Sequence, residues 1–398
     1  MNVVGITAEY NPFHLGHAYQ LRRVRELLGD DCAVVCALSG DFVQRGEPAI
    51  FDKFVRAEAA CRCGADLVVE LPLPWSLASA EGFARGAVRL LDALGCTHLS
   101  FGCESDDIDA LQALADLLGE CDFQERVKKE LRADGRLSYA AARQRAAAAA
   151  CGDRARLMET PNNILALEYL KAIRELGSSM IPLGVLRVGS AHDREDGACP
   201  SASVLRRWLY EGRNVAELLP PEAAAVYALA EAEGRGLLRA DALETAMLSR
   251  LRSCTEESLT LLPDAGDGLS QRLFRAVREE PTLRLAAERA KTRRYAMARI
   301  RRLLCAACLG LRKGMDAGSP GYARVLAFSA RGRALLKSLR ASDQIALLTK
   351  PAAVKKLDEP SHAIFLLGAE AHDLYVLGRA REELRRGGED WRRGPFIL

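Results

Sequence analysis

Residues 2–17 read Asn2-Val3-Val4-Gly5-Ile6-Thr7-Ala8-Glu9-Tyr10-Asn11-Pro12-Phe13-His14-Leu15-Gly16-His17. The run Asn2–Ala8 is apolar with little alternation, which predicts a strand buried on both faces. Pro12 has no N–H to extend a ladder, so the strand ends and the chain turns. A helix is predicted from about Gly16 to Leu28. Gly16 admits another backbone or a phosphate at close range. His14 and His17 lie three apart across the turn into that helix. Both can face one anion beside the first amide groups of the helix. Donors so placed suit the charge that builds on a triphosphate attacked at its α-phosphorus. The chain has six histidines, and two of them sit at this strand–turn–helix junction, the context so short a motif requires.

Working outward, the runs Cys32–Leu38, Asp66–Leu71, Thr97–Gly102 and Ile181–Val188 are rich in Val, Ile and Leu and predict further buried strands. Helical patterns lie between them at His17–Leu28, Lys53–Cys63 and Ser79–Leu94, followed by Ala-rich helices from Asp106 to Ala150. Such alternation implies a right-handed, doubly wound parallel sheet. These sheets take ligands at the carboxyl ends of their strands, near the switch point. The loops after Ala8, Leu38, Leu71, Gly102 and Val188 are therefore the ones to search. Beyond about Glu211 the strand signal fades, and Pro220-Pro221 marks a break. From Glu222 the chain reads as successive amphipathic helices punctuated by Pro263, Pro281, Pro320, Pro351 and Pro360. The expected architecture is an α/β doubly wound parallel five-stranded sheet over 1–215, then a mainly α-helical domain over 216–398.

The chain's 398 residues, 49% of them apolar, suit two or three domains at roughly 150 residues each. No stretch reaches the roughly 20 apolar residues that span a bilayer. The opening residues show no basic, cleavable leader, so a cytoplasmic protein without membrane partners is expected. The net charge of +3 hides an asymmetry. Residues 271–398 hold 27 Lys and Arg against 13 Asp and Glu, while the rest hold 29 against 40. A basic rear half can hold a polyanion. Among the twelve cysteines only Cys305-Ala-Ala-Cys308 has metal-like spacing, and it lacks the second pair a zinc site needs, so no protein-held metal is expected. Cys32 and Cys36 alternate with valines as small buried hydrophobes would.

Several residues near the other predicted strand ends and helix starts bear on a nucleotide. Gly102 leaves room for a base or ribose. Asn162 precedes the apolar run Ile164-Leu165-Ala166-Leu167 and reads as an N-cap. Arg187 ends the fifth strand, and its planar guanidinium suits phosphate. Ser201 or Ser203 can cap a helix or hold phosphates at its start. Trp75 and Trp208 read as packing residues. Tyr10 and Phe13 could stack on a base or simply brace the turn.

Gly5–His17 resembles the HIGH-type signature of the nucleotidyltransferase superfamily. More narrowly, separated blocks are similar to the bacterial tRNA(Met) cytidine acetate ligase family: Ser39–Ala49 with Lys53 and Arg56, Gly64–Pro72, Phe101–Glu104, Pro161–Leu165, Arg187, Ser201–Arg206, Lys291–Tyr295 and Arg299–Arg302. Leu15 and Asp41 stand where that family usually has Asn. Asp41 would add a negative charge near the phosphates, to be met by a metal ion or Arg45. The resemblance implies His14 and His17 as catalytic residues. It implies ATP contacts from Thr7, Ala8, Glu9, Tyr10, Asn11, Pro12, Phe13, Gly16, Gln20, Gly102, Asn162 and Arg187, with Ser201 and Ser203 as a second phosphate element. Gln44, Arg45 and Lys53 are further candidates for acetate or phosphate. A magnesium ion is expected to accompany ATP. The implied reaction activates acetate as acetyl-adenylate and acetylates N4 of the wobble cytidine of elongator tRNA(Met).

Lys291, Arg293, Arg294, Arg299, Arg301 and Arg302 are the candidate tRNA contacts, with Tyr295 interleaved. On one helix Arg294 and Arg301 would share a face while Ile300, Leu303 and Leu304 pack inward. A basic face beside an aromatic ring suits RNA. Two other readings use the same front half: nucleotidylyl transfer to a small phosphorylated acceptor, and RNA binding with ATP as a structural ligand. Acetate-dependent ATP–pyrophosphate exchange separates the three.

Overall fold

The computed structural model describes residues 2–187, 200–266, 268–342 and 344–398; Val188 and Cys199 lie outside them. Its strands are β1 (Val3–Ala8), β2 (Ala33–Ser39), β3 (Phe42–Val43), β4 (Glu47–Pro48), β5 (Leu67–Leu71), β6 (His98–Cys103), β7 (Ile181–Leu186), β8 (Tyr322–Phe328), β9 (Ala346–Leu348) and β10 (Phe396–Ile397). The five expected strands are β1, β2, β5, β6 and β7. They pair in parallel in the order β5-β2-β1-β6-β7. Strand order reverses between β1 and β6, so a crevice opens there at the carboxyl ends.

Both faces are covered at the central strands, but β7 is mostly half-buried, with Ile181 and Leu186 exposed, so the expectation of a fully buried strand there is corrected. Val4, Ile6 and Ala8 of β1, with Val34, Cys36 and Leu38 of β2, pack into one core, while Val3, Ala33, Val35 and Ala37 pack into the other. That two-residue alternation between two dry faces explains why the strands read as unbroken apolar runs. Gly5 has a packing reason: a Cβ there would stand 2.8 Å from Leu91 Cδ1 on the helix Ala80–Ala93.

The rear half is mainly helical, as expected, but it also adds strands to the sheet. β8 pairs antiparallel with β5, and β9 and β10 pair in parallel with β8. The expected five-stranded sheet is thus extended to eight strands by residues after 320. All seven residues of β8 are buried, and Arg324 among them interrupts the apolar run that would have betrayed a strand.

A third core gathers the helices Glu244–Ser253, Leu269–Glu279, Leu283–Ala290 and Met297–Cys308 around Phe42, Leu73 and Tyr375. Phe42 belongs to the hairpin formed by β3 and β4, so the helical region packs directly on a loop at the end of β2. Gly46 in the hairpin turn has φ +78°, and a side chain there would collide with the backbone of Arg301 and Arg302. Gly46→Ala is expected to destabilise the fold by about 1–3 kcal/mol, read as a lower urea midpoint; an unchanged midpoint would show that the helix yields freely.

Candidate active site

The turn after β1 builds the site from its own backbone. His14 is the N-cap of the helix Leu15–Leu28. Its Nδ1 accepts from the Gly16 N–H at 3.0 Å, and the His14 N–H donates to His17 Nδ1 at 3.2 Å. The two rings stack with centroids 3.9 Å apart. Each imidazole uses Nδ1 as an acceptor, so in the neutral ring the proton lies on Nε2 and that nitrogen is a donor. The amides of Gly16, His17 and Ala18 are already engaged by the His14 ring and carbonyl. This corrects the expectation of free helix amides: the turn offers paired Nε2 donors instead.

Burial, then Arg187 and Arg206, push His14 down to about 3. Burial, then His14 and Arg187, hold His17 well below the ordinary histidine value. Both rings are therefore neutral donors at neutral pH. The unfolded chain takes a proton near pH 6.5 that folded His14 refuses. Its contribution to stability is thus present above that pH and is lost as pH falls toward 3. Urea midpoints should decline over that acid range, with a smaller decline in His14→Gln; equal declines would assign the effect elsewhere.

A cleft of about 440 Å³, open to solvent, is lined by His14, Gly16, His17, Tyr19, Gln20, Gly102, Val185, Leu186 and Arg187. Six of these are residues expected from the sequence; Tyr19, Val185 and Leu186 are additions. A Cβ at Gly102 would touch the Arg187 side chain at 3.4 Å, so the glycine keeps that side of the cleft open. Gln20 Nε2 donates to Ser100 Oγ at 3.2 Å. Arg187 Nη1 donates to Asn162 Oδ1 at 3.2 Å, and Asn162 Nδ2 donates to Glu104. The expected N-cap role of Asn162 is corrected: Thr160 holds the N-cap position of the helix Pro161–Leu176 without a side-chain cap, and Glu104 Oε2 instead accepts from the Asn163 N–H at 2.9 Å. Nothing local in the sequence marks Glu104 as the residue that orients Asn162.

The remaining residues support this turn. Tyr10 and Phe13 are buried, and their rings lie 4.8 and 5.5 Å from the His17 ring. Phe13 N–H donates to the Tyr227 hydroxyl at 2.8 Å. Asn11 Oδ1 accepts from the Ile50 N–H at 2.9 Å. Thr7 and Ala8 lie in β1 and Pro12 is buried in the turn. Glu9 Oε1 accepts from the Gln44 N–H at 3.0 Å, and burial raises its pKa against the pull of Arg206. Ser201 caps the helix Ala202–Tyr210. Ser203 faces Arg206, whose Nη1 donates to the Asn11 carbonyl at 2.8 Å. Buried Arg56 donates to the carbonyls of Glu9 at 2.7 Å and Ser39 at 3.0 Å, tying the ends of β1 and β2 together.

Two expectations about charge are overturned. Lys53 is fully buried, with Nζ 2.9 Å from Glu70 Oε1 and 2.8 Å from Asp390 Oδ2, so it is committed to an ion cluster. Asp41 is buried 2.8 Å from His372 Nδ1, so a histidine meets its charge inside the protein. Among the described residues no group of three or more His, Cys, Asp or Glu could hold a metal ion, and no helix is long and apolar enough to cross a membrane.

The basic segment is also rearranged. The helix begins at Met297, so Arg294 precedes it and does not share its face with Arg301. Ile300, Leu303 and Leu304 do pack inward. Tyr295 is buried, with the Arg299 guanidinium 5.5 Å from its ring centre, so it offers no exposed stacking face. Lys291, Arg293, Arg294 and Arg301 are exposed, whereas Arg299 and Arg302 are half-buried. Trp75 packs against Gly86, and Trp208 lies under Arg213, both as packing residues.

A doubly wound sheet with two stacked histidines at its switch point defines a nucleotide-transferring class of protein. A model of the HIGH Nucleotidyl Transferase family matches residues 1–390. A tRNA(Met) cytidine acetate ligase from Acetivibrio thermocellus is 34% identical over 418 residues, covering all of both chains. One from Syntrophotalea carbinolica is 41% identical over 360 residues, covering 88% of this chain and 85% of its own. The crystal structure of Thermotoga maritima TmcAL bound with alpha-thio ATP matches with a TM-score of 0.93 at 31% identity over the whole of both chains. The chain belongs to the HIGH nucleotidyl transferase family and, within it, to the tRNA(Met) cytidine acetate ligases.

Proposed function

We propose that this chain activates acetate with ATP and acetylates N4 of the wobble cytidine of elongator tRNA(Met). An acetate oxygen attacks the α-phosphorus, the bond to the bridging oxygen breaks, and pyrophosphate leaves. The N4 amine then attacks the acetyl carbonyl carbon of acetyl-adenylate. The bond from that carbon to the AMP oxygen breaks, and the nitrogen loses one proton.

The observation that carries this reading is the stacked pair of neutral imidazoles in the β1–β6 crevice. Their Nε2 protons stabilise the oxygens around the attacked phosphorus without the charge a protonated ring would bring to the resting site. ATP lies along the cleft over Gly16, Gln20 and Gly102, with Arg187 held by Asn162 toward its phosphates. Thr7–Phe13 form the supporting turn, and Ser201 and Ser203 stand at the helix start beyond it. Glu104 and Asp41 are engaged by protein partners, so magnesium would be held by phosphate and water.

The anticodon arm lies on the exposed cations Lys291, Arg293, Arg294 and Arg301, with Arg299 and Arg302 behind them, and residues 216–398 supply this surface. Arg294→Glu with Arg301→Glu is expected to weaken tRNA binding in low-salt filter assays and to leave ATP affinity unchanged. Undiminished tRNA binding would remove that surface from the account. Incubation with ATP, labelled acetate and total tRNA, followed by nucleoside analysis, tests the reaction. Labelled N4-acetylcytidine is expected; exchange that depends on a phosphorylated acceptor instead would favour nucleotidylyl transfer.

A further inference from the structure

A cluster of buried charge lies outside the cleft, where the helix Glu359–Val376 meets Asp41 just before the β3–β4 hairpin. His372 on that helix is fully buried, with Nδ1 2.8 Å from Asp41 Oδ2 and Nε2 3.1 Å from Glu389 Oε2. A carboxylate at each nitrogen makes both positions donors, which is the imidazolium form. Burial pulls the ring down, but Asp41 and Glu389 outweigh it and raise it to about 10.

Asp41 passes this restraint on. Its Oδ1 accepts from the Lys53 N–H at 2.8 Å, and its carbonyl accepts from the Ala49 N–H at 2.8 Å, so one residue gathers the 41–53 loop. Inside that loop the Gln44 N–H holds Glu9 at 3.0 Å, and Glu47 takes Arg206 Nη2 at 3.4 Å. Arg206 in turn holds the Asn11 carbonyl. Glu9 and Asn11 belong to the turn that carries His14 and His17.

We propose that His372 is a positioning residue for adenylate formation: it fixes Asp41, Asp41 fixes the hairpin, and the hairpin fixes the turn beneath the paired imidazoles. The inference rests on the function proposed above. It also gives Asp41 a role without any phosphate contact. An asparagine at 41 could accept from the Lys53 N–H and donate to an unprotonated ring, keeping the geometry while discarding the charge. An alanine could do neither.

The test compares Asp41→Ala, Asp41→Asn and His372→Gln with the parent by hydrogen–deuterium exchange and by acetate-dependent ATP–pyrophosphate exchange. In Asp41→Ala and His372→Gln, amides of residues 9–17 and 41–48 should exchange about tenfold faster, with kcat roughly 10- to 100-fold lower and KM for ATP unchanged. Asp41→Asn should keep both protection and kcat. If His372→Gln does not fold, the two substitutions at 41 still decide. Loosening confined to the contacts of the changed residue, with residues 9–17 still protected, would overturn the proposal. So would an Asp41→Asn variant as impaired as Asp41→Ala. A parent protein without acetate-dependent exchange would strike the functional reading instead, and the amide protection would still judge the positioning.

Discussion

His17→Ala is expected to lower acetate-dependent ATP–pyrophosphate exchange by roughly 100- to 1000-fold, the usual loss for one donor to a developing oxyanion. His17 has two functions that one substitution removes together. In the function proposed above its Nε2 is a donor to the phosphate, and its Nδ1 accepts from the His14 backbone N–H. The stacked partner 3.9 Å away loses its restraint, so the effect should reach the upper part of that range. tRNA binding should persist, because the exposed cations lie on residues 291–301 of another element. Loss of adenylation and tRNA binding together, in a folded variant, would contradict this division of labour. His17→Gln is the informative companion: its amide nitrogen can donate from nearly the place of Nε2, so it should recover part of the rate.

The second large effect falls on stability. Lys53→Met should destabilise the protein by about 3–5 kcal/mol, the range for breaking a buried ion pair from one side. Burial pulls the Lys53 ammonium down, and Asp390 and Glu70 outweigh it, so it stays charged. Removing it leaves three carboxylates, of Glu70, Asp390 and Asp41, with fewer cations in a dry site. Arg324 still reaches Asp390 at 2.8 Å and Glu70 at 3.6 Å, which keeps the loss from growing further. Adding Glu70→Gln should therefore recover part of the stability, a non-additive result expected of residues in one network. Urea unfolding of the two single variants and the double variant checks this; strict additivity would mean the charges act separately.

The front half was legible because its signals are local. Five strands stood out as apolar runs since both faces of β1 and β2 are dry. His14 and His17 stood out because one turn of chain brings them together. The rest depends on contacts that no window of sequence contains. Asp41 meets His372 across 331 positions, and Lys53 meets Asp390 across 337. Taken alone, Asp41 reads as an unwelcome negative charge beside phosphates and Lys53 as a contact for acetate or phosphate. β8 was hidden because Tyr322–Phe328 carries Arg324 in its middle, and a short apolar run can be strand or buried helix with equal ease. Ala296 gives no visible stop, so the sequence lets Arg294 and Arg301 share one helix face, and the basic neighbours of Tyr295 hide its burial.

A crystal structure with a non-hydrolysable ATP analogue tests the central claim most directly. The account predicts phosphate oxygens within hydrogen-bonding distance of Nε2 of both His14 and His17, with the nucleoside along Gly102 and Arg187 turned to the phosphates. An analogue bound elsewhere, or phosphates met by neither ring, would contradict it.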